Sequence, residues 1–210
     1  AGVYEAMNVE QWDISNFESM INTNYLGAVR IIKPLFNYLK KQNKDSRIIL
    51  NASLSSYFGL PYGGAYSASK AALVNLAQSI QPEFARHNIY VQIVNHGFVK
   101  TRLTSKNDFE MPQLMSPEFT AQKIFEQFSK PYKFEIAFPF ILSKFLRALS
   151  ILPYKFSFSV TKKFLKWLQL KIMWNIIVRL IMNNKPIKSK EIFLYGILGI
   201  PLAFLGFPLY

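Results

Sequence analysis

Three consecutive segments decide the fold of this 210-residue chain: RIILNAS at residues 47–53, AYSASKAALVNLAQSIQPEFA at residues 65–85 and IYVQIV at residues 89–94. The first and third begin or run as short apolar stretches, which are typical of strands buried on both faces of a parallel sheet. The middle segment is rich in alanine and long enough for a helix of about six turns. A strand, a helix and a strand in this order predict a right-handed βαβ unit, and hence an α/β fold.

The middle segment also carries two side chains that can do chemistry together. Tyr66 and Lys70 are four residues apart, so a helix places the phenol and the ammonium on one face. A cation close to a phenol favours the phenolate, and we therefore expect Lys70 to lower the pKa of Tyr66 towards working pH. A tyrosine of that kind serves as a general acid or base. Ser53, at the end of the first strand, would polarise a substrate carbonyl with its hydroxyl.

The remaining elements extend the same architecture. Residues 17–42 carry apolar side chains at helical spacing and predict a long helix, which Pro34 should kink. Ser116 caps a helix predicted to run to residue 129, and residues 134–138 predict a last short strand. The largely polar segment 102–115 suits a mobile substrate lid. Together these elements predict a doubly wound, Rossmann-like parallel sheet.

Five motifs occur in a fixed order along the chain. They are Ala1-Gly2, Asn24-Tyr25-Leu26-Gly27, Asn51-Ala52-Ser53, Tyr66 to Lys70, and Asn95-His96-Gly97-Phe98-Val99-Lys100-Thr101. In this order they resemble the Asn-Asn-Ala-Gly, Asn-x-x-Gly, strand-and-serine, Tyr-x-x-x-Lys and Pro-Gly-to-Thr motifs of the short-chain dehydrogenase/reductase family. The resemblance covers residues 1–140. One departure is His96, which stands where the family has proline and so makes that loop less rigid.

This resemblance implies roles for individual residues. Tyr66 would transfer the proton, Ser53 would hold the substrate oxygen, and Asn24 would hold a water that relays protons to Lys70. The implied catalytic residues are Asn24, Ser53, Tyr66 and Lys70. The implied cofactor is NAD or NADP, and the residues expected to bind it are Ala1, Gly2, Asn24, Tyr66, Lys70, Gly97, Val99 and Thr101. No metal is implied.

The residues alone leave some of these roles open. Ser55 and Ser56 compete with Ser53 for the substrate oxygen. Asn24 could simply bend its helix. Thr101 could be an ordinary loop or capping threonine instead of a cofactor ligand. Each functional role therefore needs a geometry to support it.

The family's phosphate-binding turn has no counterpart in this sequence. No Gly-x-x-x-Gly-x-Gly occurs in the chain, and no strand precedes Ala1. In the family this turn cradles the cofactor pyrophosphate at a helix N-terminus. By resemblance we expect an N-terminally truncated chain that holds the catalytic half of the enzyme without most of its cofactor site.

Charge is distributed unevenly and points to partners. Residues 1–129 contain 12 basic and 10 acidic side chains, whereas residues 130–210 contain 13 basic and 2 acidic ones. A basic and aromatic tail favours an anionic membrane surface over nucleic acid, for which no recognition motif is present. The chain has no cysteine and only two histidines, which argues against disulfides and metal clusters. We expect a cytoplasmic, membrane-associated protein.

The tail itself divides in two. Residues 141–182 predict a basic amphipathic helical extension, and residues 183–210 a hydrophobic segment long enough to enter a bilayer. Residues 182–210 are also similar to the first membrane helix of sugar:cation symporters. Three alternatives remain open for this part: a membrane anchor, an apolar oligomerisation arm, or the product of two neighbouring genes joined together.

Taken together, the sequence predicts an NAD(P)-dependent oxidoreductase that interconverts a carbonyl and an alcohol. The aromatic lid and the apolar tail suggest a lipophilic small-molecule substrate. The family resemblance implies a homo-oligomer packed through the helices at 17–42 and 65–85. The alternative is a catalytically incompetent fragment or gene-fusion product associated with the membrane.

Overall fold

In the part of the chain that the structure describes, a parallel sheet of three strands forms the centre of the fold. The computed structural model describes residues 2–107, 109, 111–167 and 170. The strands are β1 (Ser46–Asn51), β2 (Ile89–His96) and β3 (Glu135–Phe138), hydrogen-bonded in the order β1-β2-β3. Ile48 pairs with Val91, and Val94 pairs with Ile136. The predicted strands and the α/β Rossmann-like parallel sheet are thereby confirmed.

Among the residues that the structure describes, α-helices surround or follow the strands. They are α1 (Ile14–Ile21), α2 (Gly27–Gln42), α3 (Gly64–Ala85), α4 (Pro117–Phe125) and α5 (Phe140–Ile151). The side chains of Asp13 and Ser116 cap α1 and α4 by accepting hydrogen bonds from backbone N–H groups of the first turn. Residues 154–165 are helical as well.

Two predicted helices differ from the observed ones. The long helix predicted over 17–42 starts earlier and is divided by a π-helical turn, Asn22–Leu26, while α2 continues through Pro34. The predicted helix 116–129 ends at Phe125. Its last residues form turns instead, and Arg47 donates hydrogen bonds to the carbonyl oxygens of Gln127 and Lys130 there, at 3.2 Å each.

The main core lies between the sheet and helices α2 and α3. Leu73, Ala77 and Phe84 of α3 pack with the buried strand residues Ile89 and Val91. Ala77 is fully buried, and its small side chain lets α3 approach β2 closely. This packing fixes the start of α3 relative to the ends of β1 and β2, where the candidate site lies.

A second apolar cluster joins α5 to the segment that follows β1. Leu54 packs against Leu146 and Leu149, and all three side chains are at most 3% exposed. Leu54 is the residue directly after Ser53. The helix after the last strand is therefore in contact with the loop that carries a candidate catalytic residue.

The chain divides into two compact units, residues 1–165 and residues 166–210. The predicted division at 1–140, 141–182 and 183–210 stays a prediction. Within the residues that the structure describes, no helix combines the length and apolar character needed to cross a membrane. The predicted hydrophobic segment 183–210, and the symporter-like stretch 182–210, lie outside the described residues.

Candidate active site

Three of the four predicted catalytic side chains converge where β1 ends and α3 begins. Ser53 follows β1, and Tyr66 and Lys70 occupy the first two turns of α3. The Ser53 side chain is close enough to the Tyr66 hydroxyl to lower its pKa. The Lys70 Nζ lies 5.7 Å from the centre of the Tyr66 ring. The helix thus brings phenol and ammonium to one face, as the spacing predicted.

The pKa of Tyr66 moves opposite to the sequence prediction. Burial raises the pKa of Tyr66 above its usual value, and the hydrogen bond with Ser53 lowers it only in part. The predicted net lowering of this pKa towards working pH is therefore wrong for this structure. The ammonium lies beside the ring and directs a hydrogen bond elsewhere, so burial dominates. Tyr66 is protonated at neutral pH.

Lys70 is a nearly buried cation. Its side chain belongs to a residue that is 5% exposed, and burial lowers the pKa of Lys70 to about 8. Its Nζ donates a hydrogen bond of 2.8 Å to the carbonyl oxygen of Asn51. An ammonium has three donors, so this bond leaves two N–H groups available to a ligand.

The serines after β1 have distinct partners. Ser53 Oγ accepts hydrogen bonds from the backbone N–H and the hydroxyl of Ser55, at 3.2 and 3.0 Å. Ser56 instead donates to the side-chain oxygen of Asn95, at 3.3 Å. Ser53 is the one that meets Tyr66, which favours it over the two alternatives left open by the sequence.

Asn24 lies in the π-helical turn and is 4% exposed. Its Oδ1 accepts a hydrogen bond from the Val3 N–H, and its Nδ2 donates to the Val3 carbonyl, both at 2.9 Å. Nδ2 also donates to Ser69 Oγ at 3.0 Å. Both amide donors are thus used within the protein, and Asn24 ties residue 3 to helix α3. Its role in holding a water stays a prediction.

The predicted cofactor residues occupy two places. Gly2 is adjacent to Asn24, since a Cβ at Gly2 would lie 3.7 Å from Asn24 Oδ1. Ala1 lies outside the described residues. Gly97, Val99 and Thr101 follow β2, on the same carboxyl edge of the sheet as Ser53.

The three residues after β2 differ in their surroundings. Gly97 donates a backbone hydrogen bond of 2.9 Å to Phe138, and Val99 is buried and pairs with Met115. Thr101 is exposed, with its hydroxyl 3.4 Å from that of Thr104. Among these three residues, Thr101 therefore offers a hydroxyl that is accessible to a ligand.

His96 has its own local explanation. Its Nδ1 lies 2.8 Å from the Gly97 carbonyl oxygen. Burial lowers the pKa of His96, the hydrogen bond to Gly97 raises it, and the nearby Lys70 charge lowers it further. The imidazole is neutral at pH 7, and its Nδ1–H donates a hydrogen bond to the Gly97 carbonyl oxygen. This hydrogen bond stabilises the loop at the position where the family has proline.

Two side chains at the site, Tyr4 and Asn95, received no role of their own from the sequence. The Tyr4 ring packs edge-on against Tyr66 with ring centres 5.1 Å apart. Burial raises the pKa of Tyr4 to about 12, with smaller contributions from Tyr66 and Glu5. Asn95 is fully buried and accepts a hydrogen bond of 3.1 Å from the Ser53 N–H. Tyr4 is too far from Tyr66 in sequence for any spacing rule, whereas Asn95 could have been noticed as a polar residue inside a buried strand.

Comparison with known proteins gives the family. The family model described as short chain dehydrogenase matches residues 1–111, more than half of the chain. The chain belongs to the short-chain dehydrogenase family. This confirms the family resemblance, whereas the similarity of residues 182–210 to sugar symporters is not shown.

Two relatives show how far the similarity extends. An uncharacterized oxidoreductase of Staphylococcus epidermidis is 31% identical over 124 residues, which are 59% of this chain and 51% of that protein. The 3-oxoacyl-[acyl-carrier-protein] reductase MabA of Mycobacterium bovis is 32% identical over 97 residues, 46% of this chain and 39% of that protein. The chain therefore spans about half the length of the curated relatives it matches.

Solved structures agree on the fold. A short chain dehydrogenase from Burkholderia cenocepacia, in complex with NADP, superposes with a TM-score of 0.62 over 73% of this chain and 67% of that chain. The identity is 20%, so this similarity establishes the shared fold and nothing finer.

The residues of this family member fit one part of a nicotinamide cofactor. Lys70 keeps two N–H donors for hydroxyl groups such as those of a ribose, and Thr101 offers an exposed hydroxyl. Both lie at the carboxyl edge of a parallel sheet, where ligands of this architecture bind. The glycine-rich turn that would hold the pyrophosphate is absent from the sequence.

Proposed function

We propose that this chain carries the catalytic half of an NAD(P)-dependent oxidoreductase that interconverts a carbonyl and an alcohol. The observation that carries the proposal is the contact of Tyr66 with both Ser53 and Lys70 at the end of β1. A phenol, a hydroxyl and a buried cation in contact form a site suited to proton transfer at a carbonyl oxygen.

Tyr66 is the proton donor in the direction of reduction. Burial raises its pKa, so the hydroxyl carries a proton at neutral pH and can give it to the oxygen of a bound ketone or aldehyde. Ser53 donates a second hydrogen bond to the same oxygen and stabilises the charge that develops there. Lys70 and Thr101 would hold a nicotinamide cofactor, which would supply or accept the hydride at the substrate carbon.

Lys70 supports this transfer electrostatically. Its charge favours the phenolate that remains after Tyr66 has given up its proton. Because the ammonium is buried and has a pKa of about 8, it can also pass a proton on at physiological pH. Its two available donors would hold the ribose of the cofactor, and so Lys70 contributes to binding and to turnover.

The substrate we propose is lipophilic. The ring of Phe98, in the loop after β2, packs edge-on against Phe109 with centres 5.9 Å apart, which gives that side of the site an aromatic wall. The mycobacterial relative is named as a reductase of 3-oxoacyl groups, which carry a ketone on a fatty chain. Both observations favour an apolar carbonyl compound over a small charged one.

We also propose a membrane surface as a partner. Residues 140–165 contain five basic and no acidic side chains. Their large apolar side chains are unusually exposed: Phe140 is 71% exposed, Ile151 80% and Tyr154 72%. Exposed rings interleaved with lysines suit the interface of an anionic bilayer, where a lipophilic substrate would also be found.

A second copy of the chain is the other partner we propose. A groove of about 350 Å³ lies between α2 and α3 and has an apolar floor that includes Ile32, Phe36 and Phe84. Lys33, Glu83 and Arg86 also line this groove, so a copy related by a two-fold axis can pair charges of opposite sign. Sedimentation equilibrium tests this association.

Cofactor titration tests the enzymatic proposal. Nicotinamide fluorescence is followed on addition of this chain, and of this chain with a family-type first strand and glycine-rich turn fused upstream. We expect the fused protein to bind NADH or NADPH and to reduce a fatty ketone or aldehyde. Binding by the fused protein alone would make the present chain a non-catalytic fragment by itself. Absence of turnover in both proteins would contradict the proposal.

A further inference from the structure

A continuous polar network connects the candidate catalytic serine to the last strand. The Ser53 N–H donates to Asn95 Oδ1 at 3.1 Å, and Asn95 Nδ2 donates to Glu135 Oε1 at 2.6 Å. The same carboxylate oxygen accepts a hydrogen bond from the Tyr57 hydroxyl. Asn95 is fully buried, and its Oδ1 also accepts a hydrogen bond from the Ser56 hydroxyl, so Ser53, Ser56 and Glu135 together fix its orientation.

A side chain of helix α5 forms the solvent-facing end of the network. Arg147 of α5 forms an ion pair with the other carboxylate oxygen of Glu135. Its guanidinium also donates to the Tyr57 hydroxyl at 2.9 Å and lies 4.8 Å from the centre of the Tyr57 ring. The Arg147 side chain is about half exposed and the Glu135 side chain mostly buried. The network therefore runs from the surface of α5 to the buried backbone of Ser53.

The negative charge of Glu135 determines which groups of the network donate hydrogen bonds and which accept them. Burial raises the pKa of Glu135, but hydrogen bonds from Tyr57, Asn95 and Arg147, with the charge of Arg147, lower it overall. An ionised carboxylate only accepts hydrogen bonds. Asn95 must therefore turn its NH₂ group towards Glu135, and its oxygen is then left facing the Ser53 N–H.

Apolar packing acts on the same segment. Leu146 and Leu149 of α5 pack on Leu54, the neighbour of Ser53. At the other side of the site, the space beside Gly97 is filled by Pro139 and Leu142, at 2.9 and 3.2 Å from the position of a Cβ. Helix α5 thus contacts both loops that follow β1 and β2.

We propose that α5 is a positioning element of the active site, acting through Arg147, Glu135 and Asn95 to hold the Ser53 backbone and thereby place its hydroxyl for the reaction. This inference rests on the oxidoreductase function proposed above. Positioning matters because a hydroxyl that is misplaced by about 1 Å loses most of its stabilisation of the transition state. Glu135 and Arg147 are positioning residues, because they touch neither Tyr66 nor Lys70.

The central experiment compares Glu135→Gln and Arg147→Met with a matched control, Lys144→Met. Lys144 lies on the same helix, is exposed and stacks on Phe140, outside the network. Glutamine is isosteric with glutamate but neutral, so it removes the ion pair with Arg147 and weakens the acceptor that holds the Asn95 amide. In the active, fused protein we expect Glu135→Gln to lower kcat by about 10-fold or more with KM for the cofactor unchanged. Lys144→Met should leave kcat unchanged.

A second readout does not depend on activity. Amide hydrogen exchange of the Ser53 segment in the chain as it stands should become about 10-fold faster in Glu135→Gln and Arg147→Met, and stay unchanged in Lys144→Met. Arg147→Lys keeps the charge and should recover part of both effects. Because exchange is measured without substrate, it separates a failure of this inference from a failure of the proposed function.

The outcomes are decisive in either direction. Faster exchange together with lower kcat supports the positioning role. Unchanged exchange, or faster exchange with unchanged kcat, overturns it. If Glu135→Gln does not fold, the result for Arg147→Met tests the inference by itself. The Arg147 side chain lies at the surface, so its replacement leaves the core intact.

Discussion

The ammonium of Lys70 lies 5.7 Å from the centre of the Tyr66 ring, yet it donates its hydrogen bond to the carbonyl of Asn51. The charge therefore faces the ring and the end of β1, and the Tyr66 hydroxyl is left with Ser53 as its partner. This arrangement keeps the phenol protonated before reaction, while the cation remains close enough to stabilise the phenolate afterwards.

The first prediction concerns the proton on Tyr66. Tyr66→Phe removes the hydroxyl but keeps the ring that packs on Tyr4. In the active fused protein we expect kcat to fall by about 100-fold or more, because general acid catalysis is lost, with cofactor affinity nearly unchanged. Stopped-flow measurement of hydride transfer checks this. A loss below about tenfold would mean that another group supplies the proton.

The second prediction uses the low pKa of Lys70. The folded state has a pKa of about 8 against a usual value of 10.5, so between these values the unfolded state binds more protons. The contribution of Lys70 to the free energy of unfolding is therefore unfavourable below pH 8 and improves as pH rises to 10.5, by about 3 kcal/mol in total.

Urea unfolding of this chain and of Lys70→Met, from pH 7 to pH 10, measures that contribution. We expect the methionine variant to be the more stable protein at pH 7, with the difference shrinking as pH rises. A difference that does not change with pH would contradict the burial of a charged Lys70. Both proteins retain Tyr4 and Tyr66, so the titration of these two tyrosines cancels in the difference between the free energies of unfolding.

Local sequence patterns were sufficient to predict the βαβ unit. The two apolar runs became β1 and β2, and the alanine-rich segment became α3 within one residue of its predicted start. These elements depend on periodicity and composition over a few neighbouring residues. The π-helical turn at Asn22–Leu26 was not predictable in this way, because its apolar spacing still resembles that of an α-helix.

The network to α5 depends on tertiary register and so could not be predicted. Glu135 pairs with Ile93 in the sheet, and Ile93 and Asn95 are on the same face of β2, so the carboxylate reaches the amide only in this register. Arg147 arrives through the docking of α5. Likewise, the pKa of Tyr66 depended on its burial, which the spacing of Tyr66 and Lys70 does not reveal.

The third prediction tests the packing of α5 on the loop after β2. A Cβ at Gly97 would lie 2.9 Å from the ring of Pro139, which cannot move away by a rotamer change. We expect Gly97→Ala to lower the free energy of unfolding by about 1–3 kcal/mol. Gly59→Ala is the matched control, since nothing lies within 4 Å of its Cβ position. Thermal denaturation of both variants measures this difference in stability, and equal midpoint temperatures would contradict the close packing.

The fourth prediction concerns the basic aromatic surface at residues 140–165. We expect the chain to float with vesicles that contain phosphatidylserine and to stay in solution with purely zwitterionic vesicles, with binding weakened by salt. Lys162→Glu with Lys163→Glu reverses two exposed charges on this surface and should weaken binding by at least about tenfold. Lys41→Glu with Lys44→Glu makes the same change in net charge at the far end of α2 and should have little effect. Equal losses in the two double variants would show that net charge alone, and not this surface, attracts the chain to lipid.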